Sequence, residues 1–135
     1  VRTADFFQIS SLANAVLFGD LTAKHQRPSG ASNSVTGLVF SGRDDMPQIT
    51  KITTASTGSA ENFGQLSEGR YSGFSASNEI RALHGGGSGL SSTNTNTIEF
   101  VTIATSGSAE DFGDLSYRNS FVSATSDSHG GLGGY

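Results

Sequence analysis

Apolar and polar positions alternate over short runs of this chain. Ile98, Phe100 and Thr102 fall on one face, and Glu99, Val101 and Ile103 on the other. That is the period of a strand, and β-branched and aromatic residues are enriched in the run. The pattern predicts strands over residues 71–77, 79–85 and 95–103, with "QITKIT" as the earlier equivalent of the last. A short fourth strand is expected around Phe63 or Phe112, and Asn78 and Asp127 stand where a tight hairpin would join the first two strands.

The pattern recurs. Phe18-Gly19-Asp20-Leu21 returns 45 residues later as Phe63-Gly64-Gln65-Leu66, and 49 residues after that as Phe112-Gly113-Asp114-Leu115. The flanks superpose without gaps: Ala31, Ser32 and Asn33 fall on Ala76, Ser77 and Asn78, Leu38 on Leu83 and Leu132, and Gly42 on Gly87. The four-residue difference fits in the Gly/Ser/Thr/Asn run of residues 85–96, which marks a loop insertion. Units therefore run over 22–66 and 67–115. A third is split, with residues 116–135 as its front half and 1–21 as its back half.

Four strands in about 45 residues cannot bury an apolar face alone, so neighbouring units must stack. The expected fold is all-β: three four-stranded antiparallel repeats arranged as β-propeller blades, with a β-prism or β-trefoil as the alternative. Three blades are too few for a propeller ring, so a homo-oligomer is expected, for example a dimer completing six blades. Within the phrase itself, the glycine after each Phe suggests a turn or a single 3₁₀ loop that carries Phe112 and Leu115 inward. Gly113 would supply a positive φ or a close backbone approach. Phe18, Gly19, Leu21, Phe63, Gly64, Leu66, Phe112, Gly113 and Leu115 are read as structural anchors.

Composition narrows the chemistry. With 18 Gly, 2 Pro and 15% charged residues among 135, the chain suits strands and tight turns. A net charge of −4 without a basic stripe argues against nucleic acid as a partner. Absence of Cys removes thiolate metal sites, and no apolar run approaches a membrane span.

Candidate sites are few. Glu110, Asp111 and Asp114, with Glu61 and Asn62 in the preceding unit, match no calcium loop and read as solvated acids. His25, His84 and His129 lack metal-binding spacing, and the serines lack a nucleophile elbow, so no enzyme, metal or cofactor is expected. Gly85-Gly86-Gly87 and residues 130–134 lack the context of a phosphate loop and read as close-packing glycines. Arg70 and Arg27 stand at a matched position after the phrase, with Arg118 offset by three. An arginine there is expected to bond carbonyls or acids of the adjoining unit. Ligand recognition, if present, is expected where the repetition fails: Arg43, Asp44 and Asp45 in one loop, Asn94 and Asn96 in the other.

The phrase "TIATSGSAEDFGDLSYRNS" resembles the kelch-like repeat of structural proteins from marine bacteriophages, especially tail-associated proteins of cyanophages. The resemblance is carried by residues 101–115, less closely by 52–66, by Arg70 and Arg118, by the glycine clusters, and by the strand at 96–103. The first 45 residues carry it weakly, since Val16 and Leu17 replace the acidic pair and "VFSG" replaces the glycine cluster. What the resemblance implies is a virion-associated, non-enzymatic propeller, tail- or capsid-associated, whose partners are other virion proteins or a host surface glycan. A carbohydrate- or receptor-binding module is the alternative.

Overall fold

The computed structural model describes residues 2–40, 42, 46–89, 91 and 93–126. Among these residues ten strands form three antiparallel sheets, none of which closes on itself. A two-stranded sheet pairs β1 (Thr3–Phe6) with β2 (Val16–Asp20). A four-stranded meander follows: β3 (Ser29–Ser32), β4 (Thr36–Phe40), β5 (Gln48–Thr53) and β6 (Glu61–Gln65). A second meander comprises β7 (Phe74–Ser77), β8 (Arg81–Gly85), β9 (Thr97–Thr102) and β10 (Glu110–Asp114). Among the described residues the first sheet holds the counterparts of the third and fourth strands of the meanders, and the front half expected for this unit extends over residues 127–135, outside the described residues.

Registers repeat residue for residue. Ala31 faces Leu38 as Ala76 faces Leu83, and Phe40 faces Ile49 as Gly85 faces Ile98. The first turn of each meander is closed by an asparagine. Asn33 Oδ1 accepts the N–H groups of Val35 and Thr36, and Asn78 Oδ1 those of Ile80 and Arg81. These are Asx turns, in which a short amide side chain replaces a backbone acceptor.

The repeated phrase is not a turn. In all three sheets it forms the last strand, interrupted by a β-bulge. Ile98 faces Gly113 while Glu99 faces Asp111, so Phe112 is the extra residue. Phe63 and Phe18 are bulged in the same register. A bulge re-aims one side chain without ending the ladder, which satisfies the Phe-Gly pair that suggested a loop.

The core lies between the meanders, where Leu38, Phe40, Ile49, Phe63, Leu66, Ala82, Val101 and Ile103 form one buried cluster. Phe63 is 3% exposed, but Phe112, expected to be buried, is 53% exposed and stands edge-on to Phe100 of its own sheet. Phe18 is partly buried, as are Leu21 and Leu115, while Leu66 is buried. Phe63 is covered by Val101 and Ile103 of the second meander, whereas among the described residues no further sheet follows Phe112.

Candidate functional site

The places where one sheet meets the next are built alike. β3 packs along β7. Ser77 Oγ donates to the Ser32 carbonyl at 2.7 Å, and Ser126 Oγ donates to the Ser77 carbonyl at 2.8 Å. At the other end of the same strands, Arg27, Ser72 and Phe121 adopt left-handed φ values of 56°, 59° and 57°. Such a conformation is costly for residues with a Cβ. The Ser72 N–H bonds the Arg27 carbonyl (3.2 Å), and the Phe121 N–H bonds the Ser72 carbonyl (2.8 Å). Ser32, Ser77 and Ser126, like Arg27, Ser72 and Phe121, are spaced by 45 and 49 residues, so the sequence repeat is also the contact repeat.

A second seam joins the outer edges. The Ala60 N–H bonds the Asp20 carbonyl at 2.8 Å, and its counterpart, the Ala109 N–H, bonds the Gln65 carbonyl at 2.8 Å. The glycine of each phrase permits this approach. A Cβ on Gly19 would overlap the Gly58 carbonyl, and one on Gly64 the Gly107 carbonyl. Gly113 differs, since a Cβ there would meet nothing within 4 Å among the described residues, while its φ of +143° itself favours glycine.

Separate from these seams, a side-chain lock joins the connection entering a meander to that meander's third strand. Arg70, 1% exposed, pairs through Nη2 with Glu99 Oε2 and through Nη1 with the Thr97 carbonyl (3.3 Å). The Ser67 N–H bonds Glu99 Oε1 at 2.9 Å. Burial pulls the Arg70 guanidinium below its ordinary value, and Glu99 and then Glu68 pull it back. One repeat earlier, His25 Nε2 lies 3.2 Å from Thr50 Oγ1, and Thr22 Oγ1 lies 2.6 Å from the same hydroxyl. Arg70 thus bonds an acid and a carbonyl, but both belong to the sheet it enters. Its positional counterpart is His25, not Arg27, which lies over the rings of Tyr71 and Phe121. Arg118 is exposed and lines a shallow concavity with Glu68.

His84 occupies the middle of the core. Its ring stacks on Phe40 with centroids 5.4 Å apart, and its Nδ1 lies 2.9 Å from Ser29 Oγ and 3.3 Å from Ser75 Oγ. Burial, reinforced by the Arg70 charge, pushes its pKa down to about 3. A serine–histidine contact of this kind resembles a catalytic pair only in residue type, since the imidazole is a weak base sealed from solvent. Beside it, Gly85, Gly86 and Gly87 are buried, and a Cβ on Gly87 (φ +97°) would lie 2.8 Å from the Tyr71 carbonyl.

The residues chosen for ligand recognition are dispersed. Arg43, Asp44 and Asp45 lie outside the described residues, as do Asp127, His129, Leu132 and the glycines of 130–134. Asn94 Oδ1 accepts the Ser88 hydroxyl at 2.6 Å within its own loop, whereas the Asn96 backbone carbonyl accepts the Leu115 N–H at 2.7 Å and ties the end of that loop to the exit of β10. Glu61, Asn62, Glu110, Asp111 and Asp114 are exposed on the outer strands. Among the described residues no three His, Asp or Glu side chains gather as a metal site, and no helix is long and apolar enough to cross a membrane.

What residue-by-residue reading missed is a pair of matched hollows at the tips of the outer hairpins. One, of about 290 Å³, is lined by Phe100, Thr102, Thr105, Ser106, Ser108 and Glu110. The other, of about 140 Å³, is lined by their counterparts Lys51, Thr53, Ser56, Thr57, Ser59 and Glu61. The signal was present in "TTASTGSAE" and "TIATSGSAE", which share hydroxyl-bearing positions.

No protein-family model matches the chain, and no curated protein matches it.

Proposed function

We propose that the chain is a non-enzymatic assembly module built from propeller-type blades, serving as a tail- or capsid-associated structural component of a bacteriophage virion. One observation carries the assembly part of this reading: the left-handed residue, the serine ladder and the glycine contact together join the two meanders, the glycine contact recurs between the first sheet and the first meander, and the other two recur between the second meander and the segment at Phe121 and Ser126. Four-stranded meanders with neighbouring first strands are the building plan of propellers, and a seam that repeats is suited to adding units. The virion assignment rests on the resemblance of the repeat phrase to kelch-like repeats of marine phage proteins. Proteomic analysis of purified virus particles tests it. Peptides of this chain are expected to co-purify with tail or capsid proteins at a fixed ratio, and their confinement to the host-cell fraction would contradict the assignment.

A second reading, carbohydrate or receptor binding, is favoured by the matched hollows. Hydroxyl-bearing side chains, a carboxylate and, in the larger hollow, the Phe100 ring are the groups that engage a sugar. Saturation-transfer NMR with mono- and disaccharides should show contacts that Phe100→Ser abolishes. Signals unchanged by that substitution would reject the hollow as the site.

A further inference from the structure

We propose that the bare outer face of β10 is a docking surface for a second copy of this chain, which inserts its β1–β2 hairpin head to tail. This rests on the propeller-type reading above and names the partner and the residues that meet. One interface occurs twice in the chain and is left open a third time. At the seam between the meanders, Phe63 and Leu66 share one buried cluster with Val101 and Ile103. Their counterparts at the open ends are Phe112 and Leu115 on β10 and its exit, and Phe7 and Ile9 following β1. Phe112 is 53% exposed, Phe7 64% and Ile9 92%, against 2% for Ile103.

The backbone tells the same story. Gly19 is covered by the loop at Gly58 and Gly64 by the loop at Gly107, but among the described residues nothing lies within 4 Å above Gly113. The hairpin loop that would cover it carries Ala13 at the position of Gly58 and Gly107. A Cβ at Gly107 meets nothing within 4 Å, so an alanine fits the donor side of the contact. The φ of Gly113 by itself favours glycine, so the open space above it among the described residues, and not its identity, marks the missing neighbour.

The polar lock completes the match. The pair Arg70–Glu99 and the pair His25–Thr50 have Asn119 and Asp5 as their third counterparts, and both are exposed. An amide donating to a carboxylate is chemically the same kind of lock, and Asn119 and Asp5 sit at opposite ends of the chain. Since β1 and β2 already hold the bulged register of β5–β6 and β9–β10, the hairpin is preformed for insertion. Joining two different patches makes a heterologous contact, which closes to a ring or grows into a filament.

Sedimentation velocity on the whole chain tests this with two surface variants, Phe112→Asp on the receiving face and Ile9→Asp on the inserting one. Both residues are exposed, so each variant is expected to keep the wild-type circular dichroism spectrum. Wild type should associate with concentration. Each variant alone should sediment as a 13.9 kDa monomer, its association weakened roughly 100-fold or more by an unpaired charge in the contact. An equimolar mixture should form a 1:1 dimer, because each variant retains one intact patch. Variants that still self-associate, or a mixture that stays monomeric, overturn the proposal. A monomeric wild type overturns it as well, and an Asp5→Cys/Asn119→Cys chain treated with a short bis-maleimide then separates the two ideas. Linking within one chain leaves the propeller-type reading standing with closure in cis, whereas no linking removes both.

Discussion

Gly64 and Gly107 touch across the seam, yet they should respond oppositely to a methyl group. In Gly64→Ala the new Cβ overlaps the carbonyl carbon and oxygen of Gly107 and lies 3.0 Å from the Ser108 nitrogen. All of these are backbone atoms, so no rotamer change relieves the overlap and the seam must open. Overpacking of this kind costs about 1–3 kcal/mol, and parting the Gln65 carbonyl from the Ala109 N–H removes roughly 1 kcal/mol more. A total of about 2–4 kcal/mol should lower the melting temperature by roughly 6–15 °C in a domain of this size. In Gly107→Ala the Cβ enters open space at a φ that is not left-handed. The loss of unfolded-state freedom should therefore stabilise the chain, by about 0.4–1 kcal/mol. Urea unfolding followed by far-ultraviolet circular dichroism measures both. Equal losses in the two variants, or a Gly64→Ala variant within about 0.5 kcal/mol of wild type, would refute the seam as described.

The buried lock yields a double-mutant cycle. Arg70→His or Glu99→Thr alone leaves a buried charge unpaired and should cost about 3–5 kcal/mol, whereas the double variant, which transplants His25–Thr50, should recover at least half of that in urea unfolding. His84 predicts a pH dependence. Its folded-state pKa of about 3 lies below the unfolded value, so the unfolded chain takes up the proton first. Its contribution is present above pH 6.5 and lost as pH falls towards 3. Between pH 7 and pH 5 that loss is roughly 2 kcal/mol, and His84→Gln should flatten it. Truncating the two bulge aromatics separates covered from bare faces. Phe63→Ala should cost about 3–5 kcal/mol, while Phe112→Ala should cost under about 1 kcal/mol at concentrations where the chain is monomeric.

Much of this architecture was legible because the same spacings govern letters and contacts. Shifts of 45 and 49 residues relate Ser32, Ser77 and Ser126, and also the three left-handed residues, one of which is an arginine and one a phenylalanine. Those two identities hide the conformation, since neither favours positive φ. The bulge was hidden for a related reason: Phe followed by Gly reads as a turn until the facing strand is known to skip a residue. Arg70 was recognisable as a bonding residue, but its counterpart His25 was not. The lock keeps its place while its chemistry changes from ion pair to imidazole–hydroxyl. Phe112 misled because burial there depends on whether another sheet follows, which no local pattern records. The matched hollows escaped notice because small hydroxyl residues are ordinary at hairpin tips.

A crystal structure of the chain at a concentration where it associates decides whether the sheets continue from one copy to the next. It should show the β1–β2 hairpin of one copy against β10 of the next, with Ala13 over Gly113, Phe7 and Ile9 buried beside Phe112, and Asp5 facing Asn119. A structure in which β10 stays bare, or pairs with a second β10 about a twofold axis, would contradict it.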